Sequence, residues 1–380
     1  MSKKALVVGI NTYRNYNDLD NAANDAEVIG QLFKENEPQR PERLAGGNYK
    51  TTILSSKELN ITRQILLDEI SNLFQSNQDH LLFYFAGHAA RSQDLIGNYL
   101  VTWDGDNSAP GIPMQTILEY AKNAVAEGRS KSCTILLDCC HAAAINEEFG
   151  GVLNKGITIL TASGANQLAR DSGGRENHGA FTSLLLDGLE GQAADLLGRV
   201  TPASLYALVD ARMGGAAQRP MFKTHVNEFI VLRKCRPTIE LEHIECLVKP
   251  IECLDNKPPF LKATSKFRLS PEFEKNRDKN FEKCFGENSH PFNEEKHEVF
   301  RKLQECFRNG MIKVIKPKEK PEHWDCMTKL DSGVGPDEWP PESSGAFSMW
   351  HAAIYSAEIQ LNHVGRHYWK LAKEGRLEEG

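Results

Sequence analysis

The chain has 380 residues, 40% hydrophobic and 25% charged, the make-up of an ordinary globular protein long enough for two cores. Its formal charge of -6 lacks the basic surplus that displaces counterions from nucleic acid or docks on an anionic membrane, so neither is expected as a general partner. It contains no apolar run of about 18 residues, and its first nine residues, MSKKALVVG, pass straight into a strand pattern, which argues against a secretory signal.

Ala5 to Ile10 is a continuous apolar run closed by Asn11, the pattern of a buried first strand. Turn residues follow as far as Asn21, and Ala22, Ala26, Ile29 and Phe33 then repeat with helical spacing. Lys50 to Ser55 reads as a second strand, and Asn60 or Thr62 can cap a helix carrying Leu66, Ile70 and Phe74. The third strand, His80 to Ala86, ends at Gly87-His88. Asn98 to Asp104 reads as a short strand or hairpin arm, with a helix from Pro113 to about Glu127 after it. The fourth main strand, Ser132 to Asp138, ends at Cys139-Cys140-His141, and Gly156 to Ala162 is the fifth. Helices over about 179–189 and 201–213 precede a last strand expected at Asn227 to Leu232. Strands alternating with helices give an α/β fold, a mostly parallel six-stranded sheet with helices on both faces, and its sites belong at the strands' C-terminal ends.

Two of those ends carry reactive residues, His88 and the Cys139-Cys140 pair, with His88 and Cys140 separated by 52 residues. A free thiol is only slightly ionised at neutral pH. An adjacent imidazole stabilises the thiolate and later protonates a leaving amine, so a Cys and a His on neighbouring strand ends make a nucleophilic dyad. Gly87 lets a substrate backbone come close, and its N–H together with that of Cys140 can serve as oxyanion donors. Neighbouring residues on a strand face opposite ways, so only one of the vicinal cysteines can point at the site. The nine cysteines, at 133, 139, 140, 235, 246, 253, 284, 306 and 326, show no paired short spacings. They outline neither a disulfide framework nor a structural zinc site, and a reducing cytoplasm is the expected setting.

The segments GINTY, LDNAANDAE, FYFAGHA, NYLV, ILLDCCHA, TILTAS and HGAFTSLLLDGLEG occur in that order. Together they resemble the caspase-like cysteine peptidase superfamily of caspases, paracaspases and metacaspases, and most of all its prokaryotic, orthocaspase-type members, over residues 1–235. The family pattern Asp-x-Cys-His is matched by Asp138 to His141, which makes Cys140 the nucleophile and His88 its base; Ala142-Ala143 depart from the commoner Ser-Gly. The resemblance to metacaspase-like enzymes also implies a carboxylate pocket for a basic P1 side chain, built here from Asp25 and Asp138. Two carboxylates favour a guanidinium and repel an acid, so cleavage after Arg, with Lys second, is expected. Asp94 and Asp104-Gly-Asp106 read as solvated turn residues, and no metal or other cofactor is expected. Activation in the superfamily often involves a cut after the cysteine strand, for which Lys155, Arg170, Arg175, Arg233 and Lys234 are candidates.

Beyond residue 235 the pattern changes, and 236–380 form a second, smaller domain, expected to be α+β or winged-helix-like, with a regulatory or recruiting role toward an activator protein. Strands are expected at Ile244 to Ile251, Phe260 to Arg268 and Met311 to Ile315, and helices at Glu295 to Asn309, Ala346 to Leu361 and Gly365 to Gly375. The appended domain, on family analogy, points to an effector of a bacterial stress or defence system. The competing reading is a catalytically silent scaffold whose second domain carries the function; the complete dyad and both pocket aspartates oppose it.

Overall fold

The computed structural model describes residues 1–37, 47–91, 97–139, 153–162, 177–213, 220–248, 260–262, 294–315 and 358–377. The chain divides into two compact units, Met1–Pro237 and Thr238–Glu379.

The first unit is built on β1 (Lys3–Gly9), β2 (Lys50–Ser55), β3 (His80–Gly87), β7 (Ser132–Cys139), β8 (Ile157–Thr161) and β10 (Met221–His225). They form one sheet in the order β10-β8-β7-β3-β1-β2, with β10 the antiparallel member. A separate three-stranded antiparallel ribbon joins β4 (Ala89–Arg91), β5 (Asn98–Val101) and β6 (Gly111–Pro113). The central strands are apolar on both faces because helices cover both. Leu6, Val8, Phe83, Phe85, Ile135 and Leu137 pack under α2 (Arg63–Phe74) and α3 (Met114–Ala126). The alternate residues Val7, Leu82, Tyr84 and Leu136 pack under α1 (Ala22–Lys34), α4 (Ala180–Asp187) and α5 (Pro202–Met213). Thr62 caps α2, accepting from Ile65 N–H.

β1 has β2 on one side and β3 on the other, so the direction of strand addition reverses beside it. In such a sheet the crevice opens at the C-terminal ends there. β3 and β7 run in parallel register, Gly87 opposite Cys139, which brings their ends side by side.

The last strand of the sheet differs from the expectation. Met221–His225 pairs with β8, whereas 227–232 is not a strand; Val231 and Leu232 are buried instead as core cover. An edge strand has one unpaired flank in water and tolerates Lys223, Thr224 and His225, so its sequence carried little strand signal. The short β9 (Arg199–Val200) pairs with β11 (Arg233–Lys234). Arg233 is buried there, donating to the carbonyls of Leu32, Glu35 and Leu189. Arg233 was a candidate cleavage point in the sequence, and cutting beside it requires the region to open first. Lys234 lies in the same strand pair, with its N–H bonded to Asn36, whereas Lys155 is exposed in a turn before β8. Arg170 and Arg175 lie outside the described residues.

The second unit contains a three-stranded antiparallel sheet, β12 (Phe260–Lys262), β14 (Glu358–Leu361) and β13 (Ile312–Ile315), in that order. With it go α6 (Leu241–Glu245), α7 (Glu294–Arg308) and α8 (His363–Lys373). Ile244, expected in a strand, is on α6, and 358–361, expected as the end of a helix, is the middle strand. Four or five residues hold too little period to separate 3.6 from 2, and partners supplied from elsewhere in the chain decide. Among the described residues no helix is long and apolar enough to cross a membrane.

Candidate active site

The site starts from Asn11, two residues beyond β1. Its side-chain oxygen accepts Ala23 N–H at 2.8 Å and its amide donates to Asp20 O at 2.9 Å, fixing where α1 begins. Helical spacing then carries Asp25 into the buried stripe of Ala22, Ala26 and Ile29. Asp25 is 2% exposed. Its Oδ1 lies 2.6 Å from His178 Nδ1, and its Oδ2 accepts Gly179 N–H at 3.2 Å.

Asp138 reaches the same place from β7. Alternation along that strand puts Cys133, Ile135, Leu137 and Cys139 in the core under α2 and α3, and turns Asp138 toward α1 and α4. Its Oδ2 accepts from Thr182 Oγ1 at 2.5 Å, and Thr182 Oγ1 lies 2.6 Å from Tyr84 Oη on β3. A hydroxyl has one hydrogen, so the chain runs from Tyr84 to Thr182 to Asp138. A Cβ added to Gly179 would stand 3.1 Å from Asp138 Oδ2 and 3.2 Å from Asp25 Oδ2, so both carboxylates converge on this glycine. Burial and, secondarily, the Asp138 charge push the Asp25 acid up to about 8, with the Gly179 N–H opposing. Desolvation raises Asp138 as well, and Thr182 offsets part of that rise.

His88 follows β3 directly. Its backbone N–H donates to Tyr13 Oη at 2.8 Å, and Tyr13 Oη donates to Ile10 O at 2.8 Å. The Tyr13 ring lies 4.8 Å from the imidazole, centroid to centroid. His88 Nε2 sits 2.8 Å from Asn17 O. A carbonyl only accepts, so the hydrogen is on Nε2 and the Nδ1 lone pair is left to act as a base. Gly87 is required where it stands: a Cβ there would meet Tyr13 Oη at 2.8 Å and the Phe85 ring at 2.9 Å.

Asp25, Gly87, His88, Asp138, Cys139 and Gly179 all line one cavity of about 250 Å³. Four of the five residues singled out in the sequence, Asp25, Gly87, His88 and Asp138, are thus brought together from the first turn of α1 and the ends of β3 and β7. The fifth, Cys140, lies outside the described residues, as does His141. Cys139 ends β7 as a buried thiol. Sequence reasoning missed Tyr13, the Asn17 carbonyl, His178 and Thr182. A backbone carbonyl leaves no mark in a sequence, but the GINTY and HGAFT segments that hold the others stood within the quoted resemblance. The carboxylates of Asp104 and Asp106 bond locally, Asp104 with Arg63 N–H and Thr102, and Asp106 with Ser108 and Ala109.

Metacaspase-1 of Schizosaccharomyces pombe is 27% identical over 168 residues, 42% of this chain and 36% of that protein, so the chain spans about a third of the curated relative it matches. Among solved structures, pro-sf-caspase-1 aligns with a TM-score of 0.39 at 12% identity, covering 60% of this chain and 94% of that one. The crystal structure of drICE aligns with a TM-score of 0.37 at 14% identity, covering 61% and 91%. A family model, the caspase domain of the C14 peptidases, matches residues 2–230. Since that span is more than half of the chain and ends close to where the first compact unit ends, the protein belongs to the caspase-domain family of cysteine peptidases.

Proposed function

We propose that the chain is a cysteine endopeptidase that cleaves proteins after Arg, and less readily after Lys, through a Cys140–His88 dyad. The observation that carries this reading is the convergence of the Asp25 and Asp138 carboxylates at Gly179, in the same cavity as His88. A P1 guanidinium entering there meets two largely buried carboxyl groups, where charge-assisted and bidentate contacts count for most. An acidic P1 side chain would face repulsion from both. His88 Nδ1 takes the Cys140 proton, the thiolate attacks the scissile carbonyl, and the imidazolium returns its proton to the leaving amine. The Gly87 and Cys140 N–H groups hold the developing oxyanion. Asn17 O keeps the imidazole in the required tautomer.

The rest follows the family resemblance. A cut after β7, at Lys155 or at Arg170 or Arg175, would activate a zymogen. Residues 236–380 would receive an activator or recruiting protein. The setting would be a reducing cytoplasm, in a bacterial stress or defence system.

The test is to react the full chain with a peptidyl-arginine chloromethyl ketone and map the alkylated residue by mass spectrometry. The reading expects one adduct, on Cys140, lost when free arginine amide competes. An adduct on Cys139, or none while a peptidyl-aspartate reagent labels the chain, contradicts it.

A further inference from the structure

The Asp25 carboxylate already has an occupant. His178 Nδ1 sits 2.6 Å from Oδ1, and the next residue's N–H takes Oδ2. Both oxygens of the residue proposed to receive a P1 side chain are therefore engaged by the 178–179 segment. One proton lies between His178 and Asp25 whichever atom carries it, and an incoming guanidinium or ammonium brings hydrogens of its own. Oδ1 lies 2.6 Å from the ring nitrogen, so a P1 donor that takes that oxygen competes with the imidazole for it.

The segment is held in place by independent contacts. Asn24 Nδ2 donates to Asn177 O at 3.0 Å, across the start of α1, and Asn177 adopts a left-handed φ of 64°. The His178 side chain is 12% exposed, so it lies at the edge of the core and not within it. Gly179 then begins α4, whose Thr182 serves Asp138. The contact is thus made where α4 starts, at the junction of both carboxylates.

We propose that His178 is a specificity-determining residue of this peptidase, competing with the P1 side chain for Asp25; this rests on the basic-P1 reading above. The competition separates the two basic side chains. Arginine presents a planar fork of five N–H groups and can replace the lost Nδ1 contact on Asp25 while keeping others on Asp138. Lysine has one compact ammonium and cannot span both carboxylates as well, so displacing the imidazole costs it more. His178 therefore sharpens preference for Arg over Lys, at some loss of affinity for both.

The experiment uses the full chain with Cys140→Ala, so that nothing is cut, and measures binding of two acetylated tetrapeptide amides that differ only in a terminal Arg or Lys. His178→Ala is expected to tighten the Arg peptide about threefold and the Lys peptide about tenfold, the scale of one partly exposed charge-assisted hydrogen bond. His178→Asn, whose amide nitrogen matches the position of Nδ1, is expected to restore the wild-type ratio. With His178 retained, the ¹³C-labelled imidazole signal that is missing from the His178→Asn spectrum should shift when the Arg peptide is added, a readout that does not depend on the folding of His178→Ala. If the Arg peptide binds while His178→Ala leaves both affinities unchanged or weaker, or the imidazole signal stays put, the His178 proposal falls and the basic pocket stands. If no Arg or Lys peptide binds any form, the basic-P1 reading fails and takes the proposal with it.

Discussion

With the Asp25 acid pushed up to about 8 by burial and by Asp138, much of it is protonated at neutral pH. An unfolded aspartate releases its proton near 3.9. The folded state therefore keeps a proton that the unfolded chain has lost, a stabilisation complete below about pH 4 and lost as pH rises through about 8. Guanidinium binding has the opposite sign, because it needs the ionised form. For Cys140→Ala, affinity for an Arg peptide should rise about 25-fold between pH 6.5 and 8.5 by calorimetry, as the ionised fraction of Asp25 does, and Asp25→Asn should bind weakly with no such slope. A flat wild-type profile would remove Asp25 from the pocket. Thr182 is fully buried between Tyr84 and Asp138. Thr182→Val keeps the shape and the residue-182 N–H to Asp138 but removes the hydroxyl that Tyr84 and Asp138 share, and should cost about 1–3 kcal/mol in urea unfolding. A loss under about 0.5 kcal/mol would mean the chain of hydroxyls is not formed. These residues differ in how visible they were beforehand. Asp25 and Asp138 were found only through the family motif, whereas Thr182 looked like any helix residue and His178 stands 153 positions from the carboxylate it touches.

At the scale of elements, the site depends on how closely α1 lies on β1. A Cβ on Gly9 would come 2.2 Å from Ala22 O and 2.6 Å from the Ala26 Cβ. Because one of those atoms is helix backbone, no rotamer change can relieve the overlap, and α1 must move away from the sheet. Gly9→Ala should therefore destabilise the first unit by about 2 kcal/mol or more and weaken Arg-peptide binding along with it, since Asp25 rides on α1. Unaltered binding in a folded Gly9→Ala protein would show that α1 does not set the pocket. The strands that build the site were legible because buried parallel strands are unbroken apolar runs ending in polar residues, as in HLLFYFAGH and CTILLDC. The elements misread were short or at an edge. Met221–His225 carries polar residues that only its edge position permits, and Glu358–Leu361 is too brief to show a period.

For the whole molecule, topology does what no local pattern can. Placing β3 beside β1 and β7 beside β3 sets His88, Asp25 and Asp138 around one cavity, although they come from three regions of the sequence. The order of strands could not be derived from the strands themselves; it was legible only through the likeness of seven ordered segments to a family. No such likeness extended past residue 235, and that is where strands and helices were exchanged. We propose that the same short segment, Asp138 to Cys140, both cuts and selects. This is tested most directly by turnover of two fluorogenic peptides, alike except for Arg or Asp at P1, with the wild-type chain and its Cys139→Ala and Cys140→Ala variants. The Arg peptide alone should be cleaved, by the wild type and by Cys139→Ala, with a fall of at least about 10³-fold in Cys140→Ala. Cleavage of the Asp peptide, or full activity in Cys140→Ala, would contradict it.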